Sequence, residues 1–103
     1  MRNLSNKRWK ELIAITDDYV ILDVRTAEEC NEGIIPEALQ INFLASHDFV
    51  SAVASLDKSK TYFVYCRSGN RSAQACNYMS VQGFETYNLM NGIMGWDGEI
   101  VSS

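Results

Sequence analysis

Residues 66–72 bring together a thiol, two guanidinium groups and two hydroxyls in the order Cys-Arg-Ser-Gly-Asn-Arg-Ser. The segment follows an apolar, β-branched run and precedes a helical pattern, so its backbone N–H groups are expected to converge on an anion at the helix start. Gly69 and Asn70 tolerate the positive φ that a tight ring of donors requires. These donors, the helix N-terminus and the two arginines would stabilise a thiolate at Cys66, and we therefore expect its pKa to be lowered.

The other residues with reactive side chains carry weaker signals. Cys76 shares a predicted helix face with Ala75 and Met79, which indicates core packing, and Cys30 lies in or after a short helix as a structural or partly exposed residue. No two cysteines have Cys-x-x-Cys spacing, so zinc and thioredoxin-like sites are disfavoured, and we expect no metal or cofactor. His47 is the only histidine, and its place at the start of a polar-faced helix predicts a solvated residue rather than a catalytic base.

The reactive segment must be positioned by strands. Two runs of β-branched and aromatic residues predict the central strands of the sheet. Residues 19–24 and 61–65 lack clean alternation, which is typical of strands that are covered on both faces in a parallel sheet. Shorter strands are predicted at residues 39–41 and 85–88, and an edge strand at residues 2–4.

Helices are predicted between the strands from their end signals and their apolar periodicity. Ser5 is a candidate N-cap, Thr26 and Glu29 have the spacing of a capping box, and Gly83 is suited to a helix C-terminus. In chain order, the predicted helices begin after Ser5 and after Thr26, cover residues 46–56, run from Ser72 to Gly83, and cover residues 92–97. The residues predicted to face the core are Trp9, Leu12, Ile13, Thr16, Phe49, Val50, Val53, Ala75, Cys76 and Met79.

Strands that alternate with helices predict an α/β fold with a parallel sheet and helices on both faces. In such folds the ligand site lies beyond the carboxyl ends of the strands. That edge would carry residues 66–72 and also Asp23 and Arg25, which end the first central strand or follow it. These two residues are therefore either a surface ion pair or a support for the loop.

The composition limits the classes of function. The 103 residues leave room for one domain, residues 1–103, and 47% of them are hydrophobic, as in folded globular proteins. Nine basic residues against thirteen acidic ones give a net charge of −4, which argues against binding to nucleic acid or membrane surfaces. Three cysteines are too few for a disulfide scaffold, and no apolar run has the length of a membrane span. We therefore expect the protein to reside in the cytoplasm, and we separately expect it to be a monomer.

Four motifs, at residues 20–25, 33–38, 66–72 and 91–96, together resemble the single-domain rhodaneses in order and spacing. The resemblance covers nearly the whole chain. It implies a rhodanese-like, five-stranded, mostly parallel sheet with helices on both faces. It also implies a sulfurtransferase in which Cys66 takes sulfane sulfur from a donor such as thiosulfate, holds it as a persulfide, and passes it to cyanide or to a thiol. A pre-ionised thiolate needs no general base for this attack.

The resemblance also implies roles for the rest of the segment. Arg67 and Arg71 would recognise a small anionic sulfur donor, because guanidinium groups bind anions through charge-assisted hydrogen bonds. Backbone or hydroxyl donors would come from Ser68, Gly69, Asn70 and Ser72, with Asp23 and Arg25 in support.

The sequence departs from the family pattern in three places. Ile34 and Glu37 stand where many members have His and Gly in a Gly-His-Ile-Pro-Gly-Ala stretch. These changes bear on the conformation of that turn and on any role of the family's His, but not on the nucleophile. Asn91 replaces the first glycine of a Gly-Gly pair, which is a milder change because Asn tolerates positive φ.

Two other functions compete with sulfur transfer. A Cys-dependent phosphatase or arsenate reductase would also place a thiolate in an anion-binding loop. Those families use Cys-x5-Arg, whereas Ser72 occupies the required position and Arg71 gives Cys-x4-Arg, a loop better matched in size to a sulfur atom than to a phosphate ester. The other alternative is a persulfide carrier or regulatory module that acts with a protein partner, although the intact cysteine and both arginines argue against an inactive module.

Overall fold

A computed structural model describes residues 2–103 and contains one sheet of five strands, all of them parallel. The strands are β1 (Arg2–Leu4), β2 (Tyr19–Asp23), β3 (Leu39–Gln40), β4 (Thr61–Tyr65) and β5 (Glu85–Leu89). The helices are α1 (Asn6–Ala14), α2 (Ala27–Cys30), α3 (Ser46–Ala54) and α4 (Asn70–Val81), and a 3₁₀ turn covers Ile93–Gly95. The predicted α/β fold with a five-stranded parallel sheet is confirmed.

The strand order β1-β5-β4-β2-β3 places β4 at the centre of the sheet and β2 beside it. Asp23 at the end of β2 lies opposite Tyr65 at the end of β4. Because both strands run the same way, the segments that follow them leave the sheet at the same edge. This brings α2 and its flanking residues next to residues 66–72, the neighbourhood that the sequence predicts.

The core has two layers because successive side chains of a strand point to opposite faces of the sheet. On β4, Tyr62 and Val64 belong to one layer, while Phe63 and Tyr65 belong to the other. The first layer is completed by α3 and α4, and the second by α1, whose Trp9 is fully buried. The helices therefore cover both faces, as predicted.

The predicted helix end signals are present. The Ser5 hydroxyl accepts a hydrogen bond from the Arg8 N–H at 3.3 Å. Thr26 and Glu29 form a reciprocal capping box, with each side chain accepting from the other residue's N–H at 3.1–3.2 Å. At the end of α4, Gly83 adopts a φ of 98°, a left-handed conformation that glycine takes without steric cost.

Some helix boundaries and buried faces differ from the prediction. α3 ends at Ala54, and its Val50 is 46% exposed because Phe49 and Val53, one turn apart, already fill the contact with the sheet. α4 begins at Asn70 rather than Ser72, since Gly69 with a φ of 97° turns the chain directly into the helix. The last predicted helix is only the 3₁₀ turn Ile93–Gly95.

None of the helices found in residues 2–103 is both long and apolar enough to span a bilayer.

Candidate active site

Cys66 follows β4 directly, and its side chain lies inside a ring of hydrogen-bond donors. Its Sγ accepts from the Gly69 N–H at 3.2 Å, from the Ser72 N–H at 3.4 Å and from the Ser72 hydroxyl at 3.3 Å. The residue is only 1% exposed. Because α4 begins at Asn70, the Ser72 donor is a backbone group of the first helical turn, which has no partner inside the helix.

These donors set the direction in which the pKa of the Cys66 thiol shifts. Burial alone raises the pKa of Cys66, but hydrogen bonds from the Ser72 hydroxyl and from the N–H groups of Ser72, Gly69 and Ser68 favour the thiolate by more. The net effect is a pKa below the ordinary value for a cysteine, as the sequence predicts. Across residues 2–103, the donors that bond to this sulfur belong to the loop backbone and one hydroxyl, and neither arginine is among them.

Several carbonyls of the loop accept hydrogen bonds from neighbouring segments, while the N–H groups of Gly69 and Ser72 point to the Cys66 sulfur. The Cys66 carbonyl accepts from the Ile93 N–H at 2.9 Å, and the Arg67 carbonyl accepts from the Met94 N–H at 3.0 Å. The side-chain amide of Asn88, on β5, donates to the Gly69 carbonyl at 3.1 Å. Sequence reasoning missed Asn88, since a polar residue inside a strand pattern does not indicate what it will contact.

Two glycines allow this close approach of two segments. A Cβ on Gly69 would collide with the Met90 carbonyl, and a Cβ on Gly92 would collide with the Arg67 carbonyl. Both also have positive φ, 97° and 62°, where an L side chain is strained. The glycines therefore let residues 66–72 rest directly on the chain that follows β5.

The two arginines of the loop differ in their hydrogen-bond partners and in their exposure. The two terminal nitrogens of Arg71 each contact one oxygen of Glu29 at 2.7 Å, and Arg71 interacts with Cys66 only through its charge. The hydrogen bonds from Arg71 lower the pKa of Glu29 to about 2. Arg67 is exposed, as are Ser68 and Asn70. Sequence reasoning identified Glu29 only as a capping residue, because nothing in its spacing indicates a partner on another element.

Asp23 and Arg25 form a buried pair, so the alternative of a surface ion pair is wrong. They are 0% and 4% exposed, and the Arg25 guanidinium contacts both carboxylate oxygens at 2.7–3.1 Å. The Tyr65 hydroxyl also donates to Asp23, at 2.6 Å. Arg25 further donates to the carbonyls of Gly33 and Glu29, at 2.7 and 3.3 Å. The pair therefore holds the chain before and after α2, and Arg25 also contacts Glu29, the residue that binds Arg71.

The remaining reactive side chains lie apart from this ring of donors. Cys30 and Cys76 are buried, and burial raises the pKa of Cys30 to about 11 and that of Cys76 to about 12. Both thiols are therefore structural, and Cys30 is not partly exposed. His47 is exposed on the first turn of α3, as the sequence predicts. Nowhere in residues 2–103 do three His, Cys, Asp or Glu side chains cluster in a way that could hold a metal ion.

The three departures from the family pattern have local consequences. Ile34 is buried, and its backbone pairs with Val101 through two hydrogen bonds of 2.8 Å. Glu37 has a φ of 72°, which explains why a glycine suits this position. Asn91 has no positive φ, and the residue with positive φ is its neighbour Gly92. The tolerance of Asn for positive φ is therefore not what makes this change mild.

Comparisons with known proteins show which family this chain resembles. Residues 5–99 match the model of the rhodanese-like domain family. The chain is 39% identical over 99 residues to the putative sulfurtransferase YtwF of Bacillus subtilis, covering 96% of this chain and 93% of that protein. It is 35% identical over 97 residues to a sulfurtransferase of Allochromatium vinosum, covering 93% and 88%. The crystal structure of a rhodanese-like domain protein from Staphylococcus aureus superposes with a TM-score of 0.85 at 27% identity, over 100% of this chain and 99% of that one.

Proposed function

This chain belongs to the family of rhodanese-like domains, and from that premise we propose that it is a sulfurtransferase that carries sulfur as a persulfide on Cys66. Two relatives that it covers over nearly their whole length are named sulfurtransferase or putative sulfurtransferase, which supports a sulfur-transfer activity. One observation carries the proposal. The Cys66 sulfur is surrounded by the N–H groups of Gly69 and Ser72 and by the Ser72 hydroxyl.

In the first half-reaction the Cys66 thiolate attacks the sulfane sulfur of a donor such as thiosulfate. A bond forms between Sγ and that sulfur, the S–S bond of thiosulfate breaks, and its electron pair leaves with sulfite. A lowered pKa raises the fraction of Cys66 that is thiolate, and a thiolate attacks without a general base. The N–H donors also stabilise the negative persulfide that results.

In the second half-reaction the acceptor attacks the outer sulfur of the persulfide. Cyanide becomes thiocyanate, and a thiol acceptor becomes a persulfide itself. Cys66 leaves as a thiolate, which the same ring of donors stabilises. We propose that the acceptor in the cell is a thiol, either free or on a protein, and that the transfer takes place in the cytoplasm.

A phosphatase or arsenate reductase is the weaker alternative. Such an enzyme needs a guanidinium group to bind the oxyanion inside the loop, but the terminal nitrogens of Arg71 are engaged by Glu29 at 2.7 Å. The loop is also one residue shorter than the Cys-x5-Arg pattern. Both features favour a sulfur atom over a phosphate ester as the occupant.

Intact-mass measurement tests the proposal. The protein is incubated with thiosulfate, its mass is recorded, and cyanide is then added while thiocyanate is measured. We expect a gain of one sulfur atom at Cys66, its removal by cyanide, and no gain in Cys66→Ser.

Cys30→Ser is the matched control, because it removes a buried thiol that lies apart from the ring of donors, and it should load as the wild type does. A wild-type protein that gains no sulfur from thiosulfate contradicts the thiosulfate version of the proposal. Cys66-dependent hydrolysis of an aryl phosphate would favour the phosphatase instead.

A further inference from the structure

The charges around the loop suggest which sulfur donors it accepts. The loop carries two cationic side chains, Arg67 and Arg71, and in the described part of the chain only Arg71 is paired with a carboxylate. Arg67 is exposed and forms no ion pair within residues 2–103, whereas Arg71 is bound end-on by Glu29 through two contacts of 2.7 Å. The positive charge that Arg71 brings to the loop is therefore already balanced.

Glu29 is held in this position by more than Arg71. One of its carboxylate oxygens also accepts from the Thr26 N–H and the Thr26 hydroxyl, both at 3.1 Å, and its backbone carbonyl accepts from Arg25 at 3.3 Å. Both partners of the Glu29–Arg71 pair are only about one-fifth exposed, with 23% and 21% of their side chains accessible. These contacts fix the Glu29 carboxylate in its position beside Arg71.

The net charge follows from these contacts. The Cys66 thiolate contributes −1 and Arg67 contributes +1, while Glu29 and Arg71 cancel. Thiosulfate carries a charge of −2 and must approach a thiolate with only one uncompensated cation nearby. An organic persulfide, R–S–SH, is neutral or carries one negative charge on its sulfurs, so it meets much less repulsion.

Given the proposed sulfurtransferase function, we propose that Glu29 determines donor specificity, because by neutralising Arg71 it favours organic persulfides over dianionic donors such as thiosulfate. In the favoured step the Cys66 thiolate bonds to the terminal sulfur of R–S–SH. The S–S bond breaks, its electron pair leaves with R–S⁻, and the proton stays on the transferred sulfur, which gives Cys66–S–SH. Thiosulfate follows the same path with sulfite as the leaving group, but less efficiently.

Glu29→Gln tests this role, because glutamine keeps the size of the side chain and can preserve the capping box while it removes the charge. Loading of Cys66 is measured as kcat/KM with thiosulfate and with the persulfide of 2-mercaptoethanol, whose carbon part is uncharged. We expect kcat/KM for thiosulfate to rise by about three- to tenfold and the persulfide value to stay within about twofold. Higher salt should shrink the gain, because screening weakens charge effects.

Glu28→Gln is the matched control, since Glu28 is the adjacent residue of α2, has the same charge and is exposed. It should change the ratio of the two donors by less than about twofold. If Glu29→Gln folds poorly, Arg71→Gln provides a second test, because it leaves Glu29 unpaired. Arg71→Gln should lower thiosulfate loading more than persulfide loading and so shift the ratio in the opposite direction.

The inference and the proposed function fail in different ways. A wild-type Cys66 that gains sulfur from neither donor contradicts the sulfurtransferase itself. Loading by both donors with a ratio unchanged in Glu29→Gln and Arg71→Gln overturns only the role of Glu29. Equal losses with both donors in Glu29→Gln would likewise show that Glu29 supports the loop without selecting the donor.

Discussion

Cys66 and Cys76 are buried in the same layer of the core, yet the pKa values of their thiols are shifted in opposite directions. They are 1% and 0% exposed, but the pKa of Cys66 is lowered while burial raises the pKa of Cys76 to about 12. The difference lies in the donors. Three hydrogen bonds from the helix start and the loop reach Cys66, whereas Cys76 lies in the middle of α4, where the backbone N–H groups are used within the helix. Exposure therefore does not decide which thiol reacts.

The largest effect should come from Gly69→Ala, which breaks the ring of donors around Cys66. The new Cβ would collide with the Met90 carbonyl at a φ of 97°, so the Gly69 N–H has to move away from the sulfur. We expect sulfur transfer to fall by about 100-fold or more, as when a donor is removed from an oxyanion site. The pKa of Cys66 should rise towards that of Cys76. Thiocyanate formation and the pH dependence of iodoacetamide alkylation measure both effects.

Gly83→Ala is the control for this change. Gly83 has nearly the same φ, 98°, but a Cβ there would meet only the Lys58 side chain at 3.9 Å. It should cost about 1–2 kcal/mol of stability for the left-handed conformation and leave sulfur transfer unchanged. Equal losses of transfer in both variants would mean that general destabilisation, and not the donor ring, explains the result.

Ser72→Ala should have the next largest effect, because it removes the hydroxyl and keeps the backbone donors. A hydrogen bond to a charged group is worth about 1.5–3 kcal/mol, which corresponds to an increase of one to two units in the Cys66 pKa. Since the thiolate is lost as the pH falls through the pKa, alkylation and sulfur loading at neutral pH should fall by about tenfold or more. Ser80→Ala, which removes a hydroxyl of α4 that contacts Thr86, should leave the alkylation profile unchanged. An unchanged profile in Ser72→Ala would mean that the amides alone activate the thiol.

Asn88→Ala tests whether the loop needs its brace from β5, and its effect on Cys66 should be smaller. Asn88 is buried, and its amide nitrogen contacts the Gly69 carbonyl at 3.1 Å and Asn3 Oδ1 at 2.8 Å. Its loss should lower the free energy of unfolding by about 1–3 kcal/mol and raise the Cys66 pKa by less than about one unit. Urea unfolding and alkylation measure the two effects. Asn3→Ala keeps the bond to Gly69, so a pKa change of equal size in that variant would argue against the brace.

The smallest effect is expected for Cys76→Ala, the other member of the comparison. Because Cys76 contributes only packing, its truncation should lower the free energy of unfolding by about 1 kcal/mol and leave sulfur transfer at the wild-type rate. Chemical unfolding and the thiocyanate assay are sufficient to check it. A loss of transfer without a loss of stability would give Cys76 a role that its position does not explain.

Much of the fold follows from short-range signals that can be read without the structure. Ser5, the Thr26–Glu29 capping box and Gly83 mark helix ends through contacts with residues close in sequence. The central strands follow from their β-branched and aromatic composition, and Phe49 and Val53 follow from helical spacing. Val50 shows the limit of this reasoning, since the width of a buried helix face depends on what the helix packs against.

The sequence by itself determined the candidate nucleophile and the donors around it, because Cys66, Gly69 and Ser72 lie in one short segment whose turn and helix start are local. Only the tertiary structure decided what surrounds that segment. The sequence has thirteen acidic residues, and nothing in it indicates that Glu29 is the one that neutralises Arg71. Nor does it indicate that the Asn88 side chain donates to the Gly69 carbonyl. Those contacts exist because β4 lies between β2 and β5, which brings residues distant in sequence to one edge of the sheet. Local hydrogen bonding explains the lowered pKa of Cys66, whereas long-range pairing sets the charge that a sulfur donor would meet.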